Sequence, residues 1–347
     1  MITTRQAFDR VLGGRSLDLA EAESVFGEIL DNVVPEGVVA GFLVALRMKG
    51  ETAHELAGGA RAMRQRARVM NLNDGRVLDT AGTGGDGAGT FNISTGAALV
   101  AASAGVPCAK HGNRAISGRV GAADVLERFG IRLDLDPAGL RDCLARAGIC
   151  FIFAPSYHPV LARLAGLRRT LGIRTAFNLI APLANPAQPR YQLVGVAEPR
   201  LLRPIAEALA ALEVEHALVV HGNDGLDEIS LTAATSVVEI RRGDLHTYEI
   251  SPEMFGVPLA SAAEFLTADV NEAMALLERA LRGEPGPARD VLALNAGAAI
   301  YTGDGARSLA DGVRLARDIL ASGRALDTLQ NLRTASNLNY PCHRENL

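Results

Sequence analysis

Apolar residues in the first seventy positions recur at helical spacing and never alternate as a half-buried strand would. Asp18 and Glu21 form a capping-box pair, after which Val25, Phe26, Ile29 and Leu30 mark one helical face. Pro35 opens another helix with Val39, Phe42, Leu43 and Leu46 on one stripe, and Gly50 stops it. Thr52 and Glu55 repeat the capping pattern ahead of Leu56, Ala60 and Met63. These signals predict a small helical domain over 1–72, and helices near 166–190 are expected to join it.

From Arg76 the pattern changes. Short apolar runs at Val77–Ala81, Val106–Lys110, Cys150–Phe153 and Ala217–His221 read as buried strands. Helical stretches lie between them: Ser94–Ala104, Ala122–Phe129, and Pro137–Ala147 with Asp136 as its cap and Gly148 as its stop. Ser236–Ile240 and Leu245–Ile250 flank Arg241–Asp244 and predict an antiparallel hairpin, and roughly Thr267 to Arg333 returns to helices. The fold class is α/β, a small N-terminal helical domain followed over 73–347 by a mainly parallel sheet flanked by helices. There is no internal repeat and no low-complexity tract, and the tail Thr334–Leu347 carries no readable signal.

Composition narrows the function classes. A chain of 347 residues with 48% apolar and 21% charged residues is ordinary globular material. A net charge of −4 supplies no pull toward nucleic acid or anionic lipid. No signal-peptide core and no membrane-length apolar run is present, so the expected location is the cytoplasm. Cys108, Cys143, Cys150 and Cys342 lack metal-finger spacing and read as free thiols. Of 35 basic residues only Lys49 and Lys110 are lysines, which makes a retained lysine informative.

Ligands of parallel sheets bind in the loops that follow the strands, and three such loops carry chemistry. After the first strand, Gly82-Thr83-Gly84-Gly85-Asp86-Gly87 matches the dinucleotide fingerprint literally. The acid that such a site needs about twenty residues on is replaced by Ala109, Lys110 and His111, so that reading fails. The glycines, Asp86, Asn92 and the helix start at Ser94-Thr95 still suit a phosphate. After the second strand, Lys110-His111-Gly112-Asn113-Arg114 places three cations and an amide at the same edge, fit for a polyphosphorylated substrate. After the Ala217–His221 strand, Asp227-Glu228 stand in a glycine-bearing loop where both can approach one Mg²⁺. Alone, each loop has a bland reading: a capped turn, a solvated basic turn, a helix start.

Together these segments resemble the anthranilate phosphoribosyltransferases. The resemblance rests on Gly82–Asp86, Asn92–Thr95, Lys110–Arg114 and Gly225–Glu228, supported by Ala40–Thr52, Arg168–Thr175 and Phe177–Pro186, and it runs from the first helices to about Leu326. It implies a phosphoribosyltransferase fold akin to that of the nucleoside phosphorylases, and a homodimer formed through the helical part. It implies attack by the amine of anthranilate on the ribose C1 of 5-phosphoribosyl 1-diphosphate (PRPP). By the same resemblance Gly82, Gly85, Asp86, Thr90, Asn92, Ile93, Ser94 and Thr95 hold PRPP. Lys110, His111, Gly112, Asn113, Arg114, Ala115, Ile116, Ser117, Gly118 and Ala122 continue that site. Gly82, Asn113 and Arg168 contact anthranilate, and Ser94, Asp227 and Glu228 ligate Mg²⁺. Ala122, Ala181 and Ala234 depart from the family's usual serine, glycine and proline. The competing classes are a pyrimidine-nucleoside phosphorylase and a non-catalytic nucleic-acid binder. The intact Asp227-Glu228 pair argues against both, and no general base is evident.

Overall fold

The computed structural model describes residues 2–68, 70–72, 76–115 and 120–338. The chain opens with four helices, α1 (Thr4–Leu12), α2 (Leu19–Leu30), α3 (Glu36–Lys49) and α4 (Ala53–Gln65). The Asp18/Glu21 and Thr52/Glu55 pairs form the reciprocal capping boxes that the sequence predicts, and they fix the starts of α2 and α4. Next come β1 (Leu78–Gly82), α5 (Ile93–Ser103), β2 (Cys108–Gly112), α6 (Ala122–Arg128), α7 (Pro137–Ala147) and β3 (Ile149–Phe153). Three helices follow, α8 (Ala154–Tyr157), α9 (Leu161–Leu171) and α10 (Ala176–Ile180). The sheet then resumes with β4 (Tyr191–Gly195), α11 (Leu202–Ala211), β5 (His216–Gly222), β6 (Thr235–Arg241) and β7 (Asp244–Ile250). Helices α12 (Val270–Leu281), α13 (Pro287–Thr302), α14 (Leu309–Ala321) and α15 (Arg324–Asn337) close the described chain.

The seven strands run in the order β3-β2-β1-β4-β5-β6-β7, the first five mutually parallel and the last two joined antiparallel. Positive φ at Arg242 and Gly243 makes the tight β6–β7 turn. Strand β4 has no counterpart among the predicted strands, yet it lies between β1 and β5 at the centre of the sheet. The strand order reverses beside β1, so the crevice beyond the ends of β1 and β4 is where such a sheet takes a ligand.

Side chains alternate across the sheet and feed two cores. Leu218 and Val220 face the core built on α5, α13 and α14, whereas Ala217 and Val219 face the other. That second core also holds Phe26, Phe42 and Met63 of the first helices, with Leu164, Leu167 and Phe177 from α9 and α10. Phe26 stands edge-on to both Phe42 and Phe177, with centroids 5.9 and 5.6 Å apart. The N-terminal helices, α9 and α10 therefore pack together beside the sheet, and α9 is held over its carboxyl edge. Cys108, Cys143 and Cys150 are free and buried, and Cys342 lies outside the described residues.

Candidate active site

The glycine-rich loop leaves β1 at Gly82 and reaches α5 at Ile93. Two contacts tie it to the loop that follows β5. Gly84 N donates to Asp227 Oδ2 at 2.8 Å, and Ser94 N donates to Glu228 Oε1 at 3.1 Å. Consecutive carboxylates thus grip the loop and the first turn of α5, where helical N–H groups lack internal partners. Asp227 comes this close because of two glycines. A Cβ on Gly82 would fall 2.6 Å from Asp227 Oδ2, and one on Gly195 would overlap the Asp227 carbonyl oxygen. Gly82 and Gly195 are themselves register partners on β1 and β4.

The 223–234 loop is pinned from behind. Ser230 Oγ donates to Asp224 Oδ2 at 2.7 Å, and the buried Asn295 side chain both accepts from Ile229 N and donates to Ile229 O, each at 2.9 Å. Burial raises the pKa of both Asp227 and Glu228. Asp86 raises Asp227 further, and Asp227 does the same to Glu228. Three carboxylates therefore crowd one end of the cleft.

Lys110 opposes them from β2. It is 3% exposed, donates to the Thr80 carbonyl, and lies 3.2 Å from Ser94 Oγ. Burial lowers its pKa, while Asp79 and Glu228 work in the opposite direction. Asp79, an acid in the middle of β1, is fully buried and accepts from His111 N at 3.1 Å and Asn185 Nδ2 at 2.8 Å. Burial pushes its carboxyl up to about 6.

The basic turn differs from the three-cation expectation. Burial, with His158 beside it, lowers His111 to about 3, so its imidazole is neutral at physiological pH. The two rings meet edge-to-face at 5.2 Å. Arg114 pairs with Asp124 at 3.1 Å and Glu127 at 2.8 Å, both on α6. Lys110 and Arg114 both reach the cleft, the latter with its charge balanced by these two carboxylates. Ile116, Ser117 and Gly118 lie outside the described residues.

These groups enclose a cavity of 360 Å³. Of the predicted site residues between Gly82 and Ala115, all but Thr95 line it, as do Ala122, Arg168, Asp227 and Glu228. Thr95 sits behind the cavity with its hydroxyl buried and unpaired. A second cavity of 720 Å³ adjoins the first, and Asn113, Leu161, Arg168 and Asn178 border both. Arg168 is half-buried at the junction, while Arg169 is exposed and borders only the second. Arg174, Thr83, Asp79 and Asn295 shape the site without having been singled out by sequence. Asp79 had one visible signal, an acid inside an apolar strand.

Residues 5–67 match the model of the glycosyl transferase family helical bundle domain, and residues 74–326 that of the family's a/b domain. The anthranilate phosphoribosyltransferase of Thermomicrobium roseum is 47% identical over 332 residues, spanning 94% of this chain and 95% of that one. The chain belongs to the anthranilate phosphoribosyltransferase family. The Thermus thermophilus member superposes with a TM-score of 0.90 at 42% identity, covering 95% of this chain and 99% of that one. The Saccharomyces cerevisiae member, in complex with PRPP and Mg, gives a TM-score of 0.88 at 26% identity, with 96% and 98% covered.

The donor set here suits a hard cation. Two carboxylates beside the Ser94 hydroxyl offer oxygen ligands only, and burial and mutual crowding with Asp86 disfavour their charged forms, a cost that a bound cation would remove. Among the described residues no group of three or more His, Cys, Asp or Glu side chains forms a metal cage. Hard oxygen donors of this kind are the type that magnesium binds. Among the described residues no helix is long and apolar enough to cross a membrane.

Proposed function

We propose that this protein transfers the phosphoribosyl group of PRPP to the amine of anthranilate, releasing diphosphate, as its family's name states, in tryptophan biosynthesis. The observation that carries the reading is the pair of contacts Gly84–Asp227 and Ser94–Glu228. They bring a phosphate-type loop, a helix N-terminus and two carboxylates around one cavity, with an arginine at its junction with another. In this reading Gly82, Gly85, Asp86, Thr90, Asn92, Ile93, Ser94 and Thr95, with Lys110 to Gly118 and Ala122, hold PRPP. Gly82, Asn113 and Arg168 hold anthranilate, and Mg²⁺ sits on Ser94, Asp227 and Glu228.

The diphosphate is a poor leaving group until its charge is neutralised. Bound Mg²⁺ would supply that as a Lewis acid. The loop amides, the start of α5 and the Lys110 ammonium add preorganised positive potential around the departing oxygens. Arg168, at the junction, is suited to grip the anthranilate carboxylate with two parallel hydrogen bonds and so aim the amine at C1. The C1–O bond to diphosphate breaks as the C1–N bond forms, and the amine's proton leaves to solvent or to the departing diphosphate. The neutral aromatic amine needs no prior deprotonation, so no side chain is assigned as base.

The test is direct. Anthranilate fluorescence should fall only when PRPP and Mg²⁺ are both present. Turnover that survives a chelator would remove magnesium. Consumption of a pyrimidine nucleoside with phosphate, in place of PRPP, would overturn the substrate assignment.

The helical part, 1–72 with α9 and α10, forms a homodimer interface in this reading, and the 73–347 domain carries the chemistry in the cytoplasm. Leu12, Val33 and Met48, at 62, 69 and 83% exposure, supply apolar surface on the helical part. Light scattering would report the dimer, and Met48→Glu should weaken it.

A further inference from the structure

We propose that Arg174 is a positioning residue for the PRPP site, bracing the glycine-rich loop from the side of the N-terminal helices. The inference rests on reading that loop as the diphosphate site. Helix α9 ends at Gly172 in a left-handed cap, and the chain turns there to bring Arg174 back toward the sheet. Arg174 Nη2 donates to the Thr83 carbonyl at 2.9 Å. Its Nη1 occupies the space where a Cβ of Gly85 would fall, and Gly85 has φ +82. Its charge also acts on Asp227. The Arg174 carbonyl in turn accepts from Arg47 Nη1 of α3 at 2.5 Å.

One residue thus links α3, the end of α9 and the Thr83–Gly85 turn. Its place in the chain, six positions after Arg168, would assign it to the anthranilate side. Its contacts assign it to the other substrate. Arg174 borders the second cavity and is absent from the walls of the first, whereas Thr83 and Gly85 line the first. Arg174 therefore acts on bound PRPP through the loop rather than by touching it. A glycine-rich turn loses much entropy when it is ordered for binding. A brace that orders it beforehand removes part of that cost. The flat fork is required because one nitrogen donates to a carbonyl while the other packs over a bare α-carbon, and a lysine supplies only a single point donor.

The test compares Arg174→Met, Arg174→Lys and Arg47→Met with the wild type, by steady-state kinetics and by calorimetric titration of PRPP with Mg²⁺. Arg174→Met should raise the KM and Kd for PRPP about tenfold, the scale of one lost charge-assisted hydrogen bond. The anthranilate KM should stay within about twofold on the same scale. Arg174→Lys should recover part of the loss, and Arg47→Met should move the same way by less. An equal or larger rise in anthranilate KM, or no change in either, would overturn the proposal. Should Arg174→Met fail to fold, the same split in the other two variants decides it. If the wild type neither binds nor consumes PRPP, the site reading fails, and that outcome is distinct from a wild type that binds PRPP as tightly as its variants.

Discussion

Lys110 Nζ lies 3.2 Å from Ser94 Oγ, so a buried ammonium joins β2 to the first turn of α5. That turn also offers Ser94 N to Glu228, and cation, hydroxyl and carboxylate form one connected group. Lys110→Met is expected to lower kcat about 100-fold, the usual cost of one preorganised electrostatic group, with little effect on the anthranilate KM. Steady-state kinetics alongside a melting curve check this. A folded variant that keeps a tenth of the wild-type kcat would remove Lys110 from the chemistry.

For the acidic pair, function and stability should part company. Asp227→Asn combined with Glu228→Gln should lower kcat by about 100-fold or more at saturating Mg²⁺. The substrate-free, magnesium-free protein should hold or gain melting temperature, because crowded half-buried like charges no longer repel. Calorimetry with and without Mg²⁺ separates the two effects. Near-normal turnover of the double variant would cancel the metal role.

Adjacent arginines on α9 give an internal control. Arg168 is half-buried where the two cavities meet, and burial lowers its pKa, whereas Arg169 is exposed. Arg168→Lys should raise the anthranilate KM about tenfold through loss of the two-pronged grip, and leave the PRPP KM nearly unchanged. Arg169→Lys should be mild on both. Equal small changes in the two variants would show that Arg168 does not read a carboxylate.

The His111–His158 pair contributes an acid-sensitive share of the fold's stability. Burial holds His111 down to about 3 and His158 to about 4, against roughly 6.5 in an unfolded chain. As pH falls below 6.5 the unfolded chain binds protons first. The stability tied to the neutral rings is complete above that pH and is lost on the way to their folded values, at ~1.4 kcal/mol per pH unit for each histidine. The raised carboxyls of Asp79, Asp227 and Glu228 pull the other way over the same range, so the pair is read as a difference: between pH 6.5 and 4 the urea midpoint of the wild type should fall relative to that of His158→Phe. Parallel slopes would show that His158 takes up no extra proton on unfolding.

Much of the fold is legible because its signals are local. Capping pairs mark α2 and α4, and the continuous apolar run Ala217–Val220 marks β5. Strand β4 gave no such signal. Only Leu193 and Val194 are apolar at its centre, between Gln192 and Gly195, and the buried Gln192 finds its partner, the Pro182 carbonyl, only once the chain has folded. The candidate site was legible where glycines and charges cluster just after strands. Arg174 was not, because the loop it braces lies 91 residues away. Nor was the neutrality of His111, since much of what keeps it neutral is burial against a ring from beyond β3.

Gly82 and Gly195 stand side by side at the ends of neighbouring strands, and the backbone and carboxylate of Asp227 occupy the space their missing side chains leave. The seat of that acid is a notch cut into the sheet's rim by omission. Alanine at either position adds one methyl group and no charge, yet it would push Asp227 away from Gly84 and carry Glu228 away from Ser94 with it. The chemistry of this cleft therefore depends on two residues that bring no side chain, and the smallest possible enlargement of either would mistune it.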